Sequence, residues 1–322
     1  MAPTAMNACV HQGCVALKRR VAPGCAQRAQ PKLCSGQQRR GVVARAADDS
    51  QWVFSKALVR DVAPTFDNAI CKYPPEEPIS VERAVEQHDL YIRRLQEAGV
   101  EVLKVAADKK CPDCVFIEDT AVVVTGVGAV IAWPGMRTRR REVGPVREAL
   151  DSLGLKLFDV QKPGVVDGGD VLRINTDMFV GISKRTNAQA LEYISAALSP
   201  YGIRVYGIPV PEALHLKSLC TALDSETLVV AKGPGAGVKR SINLMAIDDL
   251  LAVDYSFVEV RHPLSANVVR INKHVLIQPA DDEDREILVR ACAARGLTPV
   301  EVDMSETGKA DGALTCCSIL IP

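Results

Sequence analysis

The stretch Thr186-Asn-Ala-Gln-Ala-Leu-Glu-Tyr-Ile-Ser-Ala-Ala-Leu-Ser-Pro-Tyr-Gly202 runs directly into Ile203-Arg-Val-Tyr-Gly-Ile208, and its reading decides the fold. Leu191, Ile194 and Leu198 recur at helical period on one face. Gly202 supplies the left-handed residue that stops a helix, and a short strand follows. The same unit recurs three times. Ser80 to Gly99 leads into Glu101-Val-Leu-Lys-Val105, Glu142 to Gly154 into Lys156-Leu-Phe-Asp-Val160, and Asp281 to Gly296 into Leu297-Thr-Pro-Val-Glu-Val302. Val143, Val146, Leu150 and Leu153 share a face in the second of these. Asp281, Asp282, Glu283 and Asp284 open the third, where the helix macrodipole favours acids.

The stop glycines lie 55, 48 and 94 residues apart. The last gap is near twice the others, so a fifth unit is expected inside it, with Ser241 to Phe257 filling it without a glycine. Five units of roughly 50 residues make an α/β protein that is either a stacked array or a closed ring. Extended segments such as Thr120-Ala-Val-Val-Val-Thr125 and Gly128-Ala-Val-Ile-Ala-Trp133 precede the helices. A second set of points keeps the rhythm: Asp113, Asp167, His215, Ala266 and Asp311, at spacings of 54, 48, 51 and 45. Each is expected to open a strand carrying polar residues. In a closed ring those strand starts converge near the axis, where residues distant in sequence would form a site.

The first 47 residues read differently. They hold eight basic residues and no acid, the first carboxylate being Asp48, and they end in Val43-Ala44-Arg45-Ala46-Ala47. A basic, acid-free leader with this ending reads as a chloroplast transit peptide, with a mitochondrial address or a basic arm as alternatives. It has no long apolar run, which argues against a secretory signal or a membrane anchor. Residues 48–322 are then expected to be one catalytic domain. They carry 31 basic and 39 acidic residues, a formal charge of −8. That balance argues against nucleic-acid binding, which rests on phosphate neutralisation, and suits a small cationic substrate. Seven cysteines at irregular spacing in this part point to free thiols rather than a disulfide framework.

Among these cysteines, Cys316 and Cys317 lie in Asp311-Gly-Ala-Leu-Thr-Cys-Cys-Ser-Ile-Leu320, read as the end of a short apolar strand. A nucleophilic cysteine needs a proton-shuttling partner and a group to orient it. His215 is the one histidine of five that opens a repeat strand. On the residues alone it is equally a satisfied core histidine. Asp167-Gly-Gly-Asp170 is an acidic turn able to approach a ligand closely, or a plain Asp-Gly turn. Asp113-Cys-Val-Phe-Ile-Glu-Asp119 packs three carboxylates among apolar residues, a costly arrangement unless a cation meets them. A guanidinium would do so bidentately, and internal pairing with Arg139 or Arg185 would do so equally. Cys111-Pro-Asp-Cys114 lacks a second pair at metal spacing. Arg137 to Arg141 reads as a solvated charge run.

Taken together, Pro112-Asp-Cys-Val-Phe-Ile-Glu-Asp119, Arg139-Arg-Arg-Glu-Val143, Asp167-Gly-Gly-Asp-Val171, Phe179-Val-Gly-Ile-Ser-Lys-Arg-Thr-Asn187, His215-Leu-Lys-Ser-Leu-Cys220 and Asp311-Gly-Ala-Leu-Thr-Cys-Cys-Ser318 resemble the dimethylarginine dimethylaminohydrolase family of the guanidine-modifying pentein superfamily. The resemblance spans about Ala57 to Leu320. It implies a five-bladed α/β propeller and hydrolysis of methylated arginine, a small-molecule substrate, to citrulline. It implies neither metal nor organic cofactor. It implies Cys316 as nucleophile, His215 as general acid and base, and Asp167 as the group orienting His215. Glu118 and Asp119 would hold the guanidinium, with Phe116 against the substrate. Arg139 and Arg185 would bind its carboxylate. Asp113 and the backbone around Ala310 and Asp311 would serve the amino-acid end. Ser218 would sit near His215. Ile70, in the segment Thr65 to Ile70, would be the substrate-contacting residue of a lid. The segment Leu228 to Arg261 matches poorly.

Three rivals are weighed against this. Arginine and agmatine deiminases of the superfamily resemble a His-x-Asp pattern, and here that acid's place is taken by Lys217. A non-catalytic arginine-binding protein would need the acids and arginines but neither His215 nor Cys316. A redox-sensing protein would use Cys316-Cys317 and Cys111/Cys114, and Cys317 beside a reactive thiolate is expected to confer oxidant sensitivity.

Overall fold

The computed structural model describes residues 49–322, which fall in one compact unit. The transit-peptide reading of residues 1–47 lies outside them. Five sheets of three strands each are present, with one helix crossing from the middle to the outer strand of every sheet. In the sheet nearest the described N-terminus, Lys56–Arg60 is central. It pairs in parallel with Glu101–Val105 and antiparallel with the last strand, Ile319–Ile321, with Ala57 opposite Leu320. The two ends of the chain thereby share one sheet and close the ring. Its helix is Val81–Glu97.

The other four sheets repeat this plan, each with an antiparallel inner and a parallel outer neighbour. They are built from Ala121–Val124, Gly128–Ile131 and Leu157–Asp159; Val171–Ile174, Asp177–Ile182 and Arg204–Pro209; Cys220–Ala222, Thr227–Ala231 and Ser256–Val260; and Val269–Ile271, His274–Ile277 and Thr298–Glu301. Their helices are Val143–Ser152, Ala188–Leu198, Ala236–Ile247 and Asp282–Ala293. This is a five-bladed α/β propeller. The middle strands are covered on both faces, so they read as apolar runs such as Thr227-Leu-Val-Val-Ala231, buried throughout.

Local chemistry sets the boundaries. Ser80, Asn187 and Asp281 side chains accept from the backbone N–H groups of Arg83, Ala190 and Asp284 at the helix starts. Gly99, Gly154, Gly202 and Gly296 all take positive φ at the stops. The fifth helix begins at Ala236, five residues before the expected segment. Its stop is Asp249 at φ 54°, a non-glycine doing the left-handed residue's work, which is why no glycine marked it.

One expectation is corrected. The polar rhythm residues do not open strands. They lie in or beside short turns that precede the inner strands: Asp113 within the 3-10 segment Pro112–Val115, Asp167 and His215 capping Gly168–Asp170 and Leu216–Ser218, Ala266 ending the α-helical turn Pro263–Ala266, and Asp311 just before Leu314–Cys317. Cys316 and Cys317 therefore lie before the last strand. Short runs of alternating small apolar and polar residues fit either form, and only the closed ring selects the turn.

Candidate active site

These turns converge at one end of the ring and enclose a small cavity. Cys316 and His215 both line it, with Asp119, Arg139 and Arg185. Phe116, Asp113, Ile70, Ala310 and Asp311 complete the expected wall. Leu214 and Gly312, which sequence reasoning missed, line it too. A Cβ at Gly312 would stand 2.2 Å from the Phe116 ring, so a side chain there would displace it.

His215 is buried, and its Nε2 donates to Asp167 Oδ2 at 3.2 Å, with Asp119 Oδ1 at 3.8 Å. Burial opposes the imidazolium, but Asp119, the hydrogen bond to Asp167, and Asp170 outweigh it and raise the pKa to about 9. Gly169 explains the Asp-Gly-Gly-Asp turn. A Cβ there would meet His215 Nδ1 at 2.6 Å and Asp119 Oδ1 at 2.9 Å. The second acid, Asp170, was in the motif but given no role. It accepts from Leu216 N–H and from the hydroxyls of Ser183 and Thr186, tying the histidine's turn to its own.

Cys316 faces the cavity from its 3-10 turn, while Cys317 packs fully buried in the core. Burial first, then the Glu118 and Asp119 carboxylates, push the Cys316 thiol up to about 12. Burial likewise raises Cys317, and its enclosure removes the oxidant access that the sensor reading needs. Cys111 and Cys114 are also buried, packed with Ala63. Among the described residues all seven cysteines are free.

The acids are met by internal cations. Arg139 is buried rather than solvated. Its Nη1 donates to Asp119, its Nε and Nη2 to Glu142, and Nη2 also to the Phe116 carbonyl at 2.9 Å. This corrects the reading of Arg139 as a free carboxylate binder: its donors are committed, and Glu142, which sequence reasoning missed, takes most of them. Its position three residues on was the available signal. Arg185 is less committed, with Nη1 3.3 Å from Asp167 Oδ2. Asp119 is held down to about 2, since His215 and Arg139 overcome its burial. Asp119, Asp167 and His215 have the donor set and spacing that could hold a metal ion. Arg139 and Arg185 already neutralise two of those three.

Glu118, expected at the guanidinium, does not line this cavity; it lies behind Asp119 and lines a second space along the ring axis. Lys217 pairs with its Oε1, while Oε2 is buried without a partner. Burial raises its carboxyl to about 7 despite Lys217. Asn267, also missed, accepts from Thr315 N–H and donates to the Lys217 carbonyl, joining two turns of the site. Ser218 ends the histidine's turn but does not line the cavity.

The segment before Ile70 arches over the opening. Phe66 packs edge-on against Phe116 at 5.8 Å. Ile70 N–H donates to Asp113 Oδ1 and Lys72 N–H to Asp311 Oδ2. The two acids expected at the amino-acid end thus hold the backbone at Ile70 and Lys72.

Residues 57–232 match the family model described as N,N dimethylarginine dimethylhydrolase, eukaryotic. The chain is 36% identical over 264 residues to an N(G),N(G)-dimethylarginine dimethylaminohydrolase of Streptomyces coelicolor, covering 82% of this chain and 96% of that one. It is 30% identical to the protein of that name from Pseudomonas aeruginosa, covering 74% and 88%. The solved structure of the Pseudomonas aeruginosa enzyme, a cysteine-to-serine variant complexed with citrulline, aligns with TM-score 0.73 at 26% identity, covering 84% of this chain and all of that one. With the ring, the turns and the Cys316–His215–Asp167 arrangement in place, the chain belongs to the dimethylarginine dimethylaminohydrolase family of the pentein superfamily.

Proposed function

We propose that the protein hydrolyses asymmetric dimethylarginine and monomethylarginine to citrulline, releasing dimethylamine or methylamine through a covalent intermediate on Cys316. The observation that carries this is one cavity holding an unpaired thiol, a histidine oriented by a buried carboxylate, and acids suited to a guanidinium. The relatives' names support it, as does a related enzyme captured as an adduct with S-methyl-L-thiocitrulline.

In the free protein Cys316 is a neutral thiol and His215 a cation. An arriving guanidinium adds positive charge beside Glu118 and Asp119, the carboxylates that hold the thiol up, and so lets the thiol give its proton to solvent water, His215 being already protonated. The acids fix the guanidinium plane, which supplies proximity. The thiolate forms an S–C bond to the guanidinium carbon. His215 donates its proton to the dimethylamino nitrogen as the C–N bond breaks. A thiouronium remains on Cys316. Neutral His215 then takes a proton from water, the hydroxide adds to the same carbon, and the sulfur leaves with the bonding pair and takes up the adduct's hydroxyl proton, giving citrulline, the Cys316 thiol and protonated His215. Arg185, the less committed arginine, faces the substrate carboxylate.

Citrulline release from dimethylarginine and from arginine, compared in protein starting at Asp48, tests this. Turnover of the methylated substrate, lost in Cys316→Ser, is expected. Preference for arginine would move the protein to the deiminases. Arginine dihydrolase domains share the fold at TM-score 0.70 and 19% identity, a likeness of fold alone. As a further part of the proposal, residues 1–47 address the chloroplast. A fluorescent fusion to that segment separates plastid from mitochondrion.

A further inference from the structure

Behind the catalytic cavity the five inner strands enclose a second one along the ring axis, of about 180 Å³. Each strand lends a wall residue: Val122, Arg173, Thr221, Arg270 and Ile319. Glu118 and Lys217 form its front, and Trp52 and Phe54 its rear. The Glu118–Lys217 ion pair therefore faces this cavity, and neighbouring Asp119 and Cys316 face the catalytic one.

The charge around this second cavity is not balanced. Arg173, Arg270 and Lys217 face it, against Glu118 alone among the lining acids. Arg270 is satisfied, its Nη2 3.1 Å from Asp49 and its guanidinium 5.2 Å from the Trp52 ring centroid. Other buried arginines of the ring are satisfied as well: Arg60 donates to two carbonyls and Arg139 to two acids. Arg173 differs. Among the described residues no acid or carbonyl meets its guanidinium, and its Nε is buried with no acceptor. Arg173 is part-buried, and a cation drawn partly out of water with no counter-charge is disfavoured unless something fills its fork; a guanidinium fork matches an oxyanion. Glu118 Oε2, at the other end of the same space, also lacks a partner.

We infer that the axial cavity is a binding site for a small oxyanion, gripped by Arg173 and coupled through Lys217 to Glu118. An oxyanion there offers the Lys217 ammonium a second partner. As Lys217 turns toward it, Glu118 is released to the substrate guanidinium. The coupling rests on the proposed role of Glu118; the binding does not.

Trp52 reports on the cavity, and Trp133→Phe leaves it the sole tryptophan of the chain. Inorganic phosphate, with acetate beside it, is titrated into this protein at constant ionic strength. Saturable Trp52 fluorescence change is expected, at least tenfold weaker in Arg173→Met and retained in Arg173→Lys, which keeps the charge should the methionine variant fold poorly. Binding should persist in saturating citrulline, and phosphate should lower the KM for dimethylarginine several-fold in the parent but not in Arg173→Met. A non-saturating response, equal affinity in Arg173→Met, displacement by citrulline, or an unmoved KM at saturating phosphate would overturn the inference. Absence of turnover with phosphate binding intact would instead count against the proposed reaction alone.

Discussion

At the catalytic end of the ring, Asp119, Asp167 and Glu142 are neutralised by His215, Arg139 and Arg185 before any ligand arrives. At the axial end, Arg173 stands without a counter-charge among the described residues. The two ends are made differently. The catalytic one is built from 3-10 turns, whose backbone can aim adjacent residues in unlike directions, as Cys316 and Cys317 show. The axial one is built from strands, which can only present alternate residues. A pre-neutralised site binds a cation by exchanging partners, so the chemistry depends on which internal cation yields. Lys217, a single point charge on a flexible stem, is easier to displace than Arg139 with its fork divided between two acids and a carbonyl.

The largest effect that could break this comparison is loss of the proposed nucleophile. Cys316→Ser should lower citrulline formation by ~10³-fold or more while leaving substrate binding measurable by calorimetry. Removing the proton carrier, as in His215→Asn, should cost on the order of 10²–10⁴-fold. In the parent protein kcat/KM should fall as pH rises through about 9, because the general acid is then lost. Carboxylates hold that pKa up, so Asp167→Asn should move the alkaline limb to lower pH; an unmoved limb would detach His215 from it.

Arg139→Met should destabilise the fold by ~3–5 kcal/mol in denaturant melts, since it leaves Asp119 and Glu142 buried without their cation. Arg185→Met should instead raise KM by about tenfold, on the order of 1.4 kcal/mol, with the smaller stability loss. The reverse ranking would exchange the roles of the two arginines.

Lys217→Met takes away the cation that holds Glu118 down, so its carboxyl should titrate above the present value of about 7. Where that variant's Glu118 is protonated its KM for dimethylarginine should be raised, and above the raised pKa, with the carboxylate ionised and free of its cation, KM should fall below the parent's. The smallest effect is expected far from either cavity. Asp249→Gly relieves a left-handed aspartate and should change stability by less than ~1 kcal/mol, because the gain in φ freedom is offset by glycine's greater chain entropy.

Much of the fold was legible because the helix stops carry glycine and the repeats keep a constant length. The site was legible as residues but not as pairs. Asp167-Gly-Gly-Asp170 and the acids from Asp113 to Asp119 announced buried charge, yet nothing in their spacing said that Arg139 would take Glu142 as well as Asp119. Asn267 passed unnoticed because a lone asparagine after an alanine carries no periodic signal, although it directly follows the rhythm point Ala266.

By itself the sequence determined five repeating α/β units and a cluster of acids among apolar residues, since these rest on local period, turn chemistry and residue type; the closed ring and the choice of Cys316 and His215 as candidate nucleophile and base came from the family resemblance. The tertiary structure decided which cation meets which acid, that Cys317 turns into the core while Cys316 faces the cavity, and that Arg173 meets none. Several of those outcomes depend on distances between residues far apart in the chain, Lys217 and Glu118 being 99 positions apart. Only closure of the ring, with Ile319–Ile321 paired to Lys56–Arg60, sets such distances.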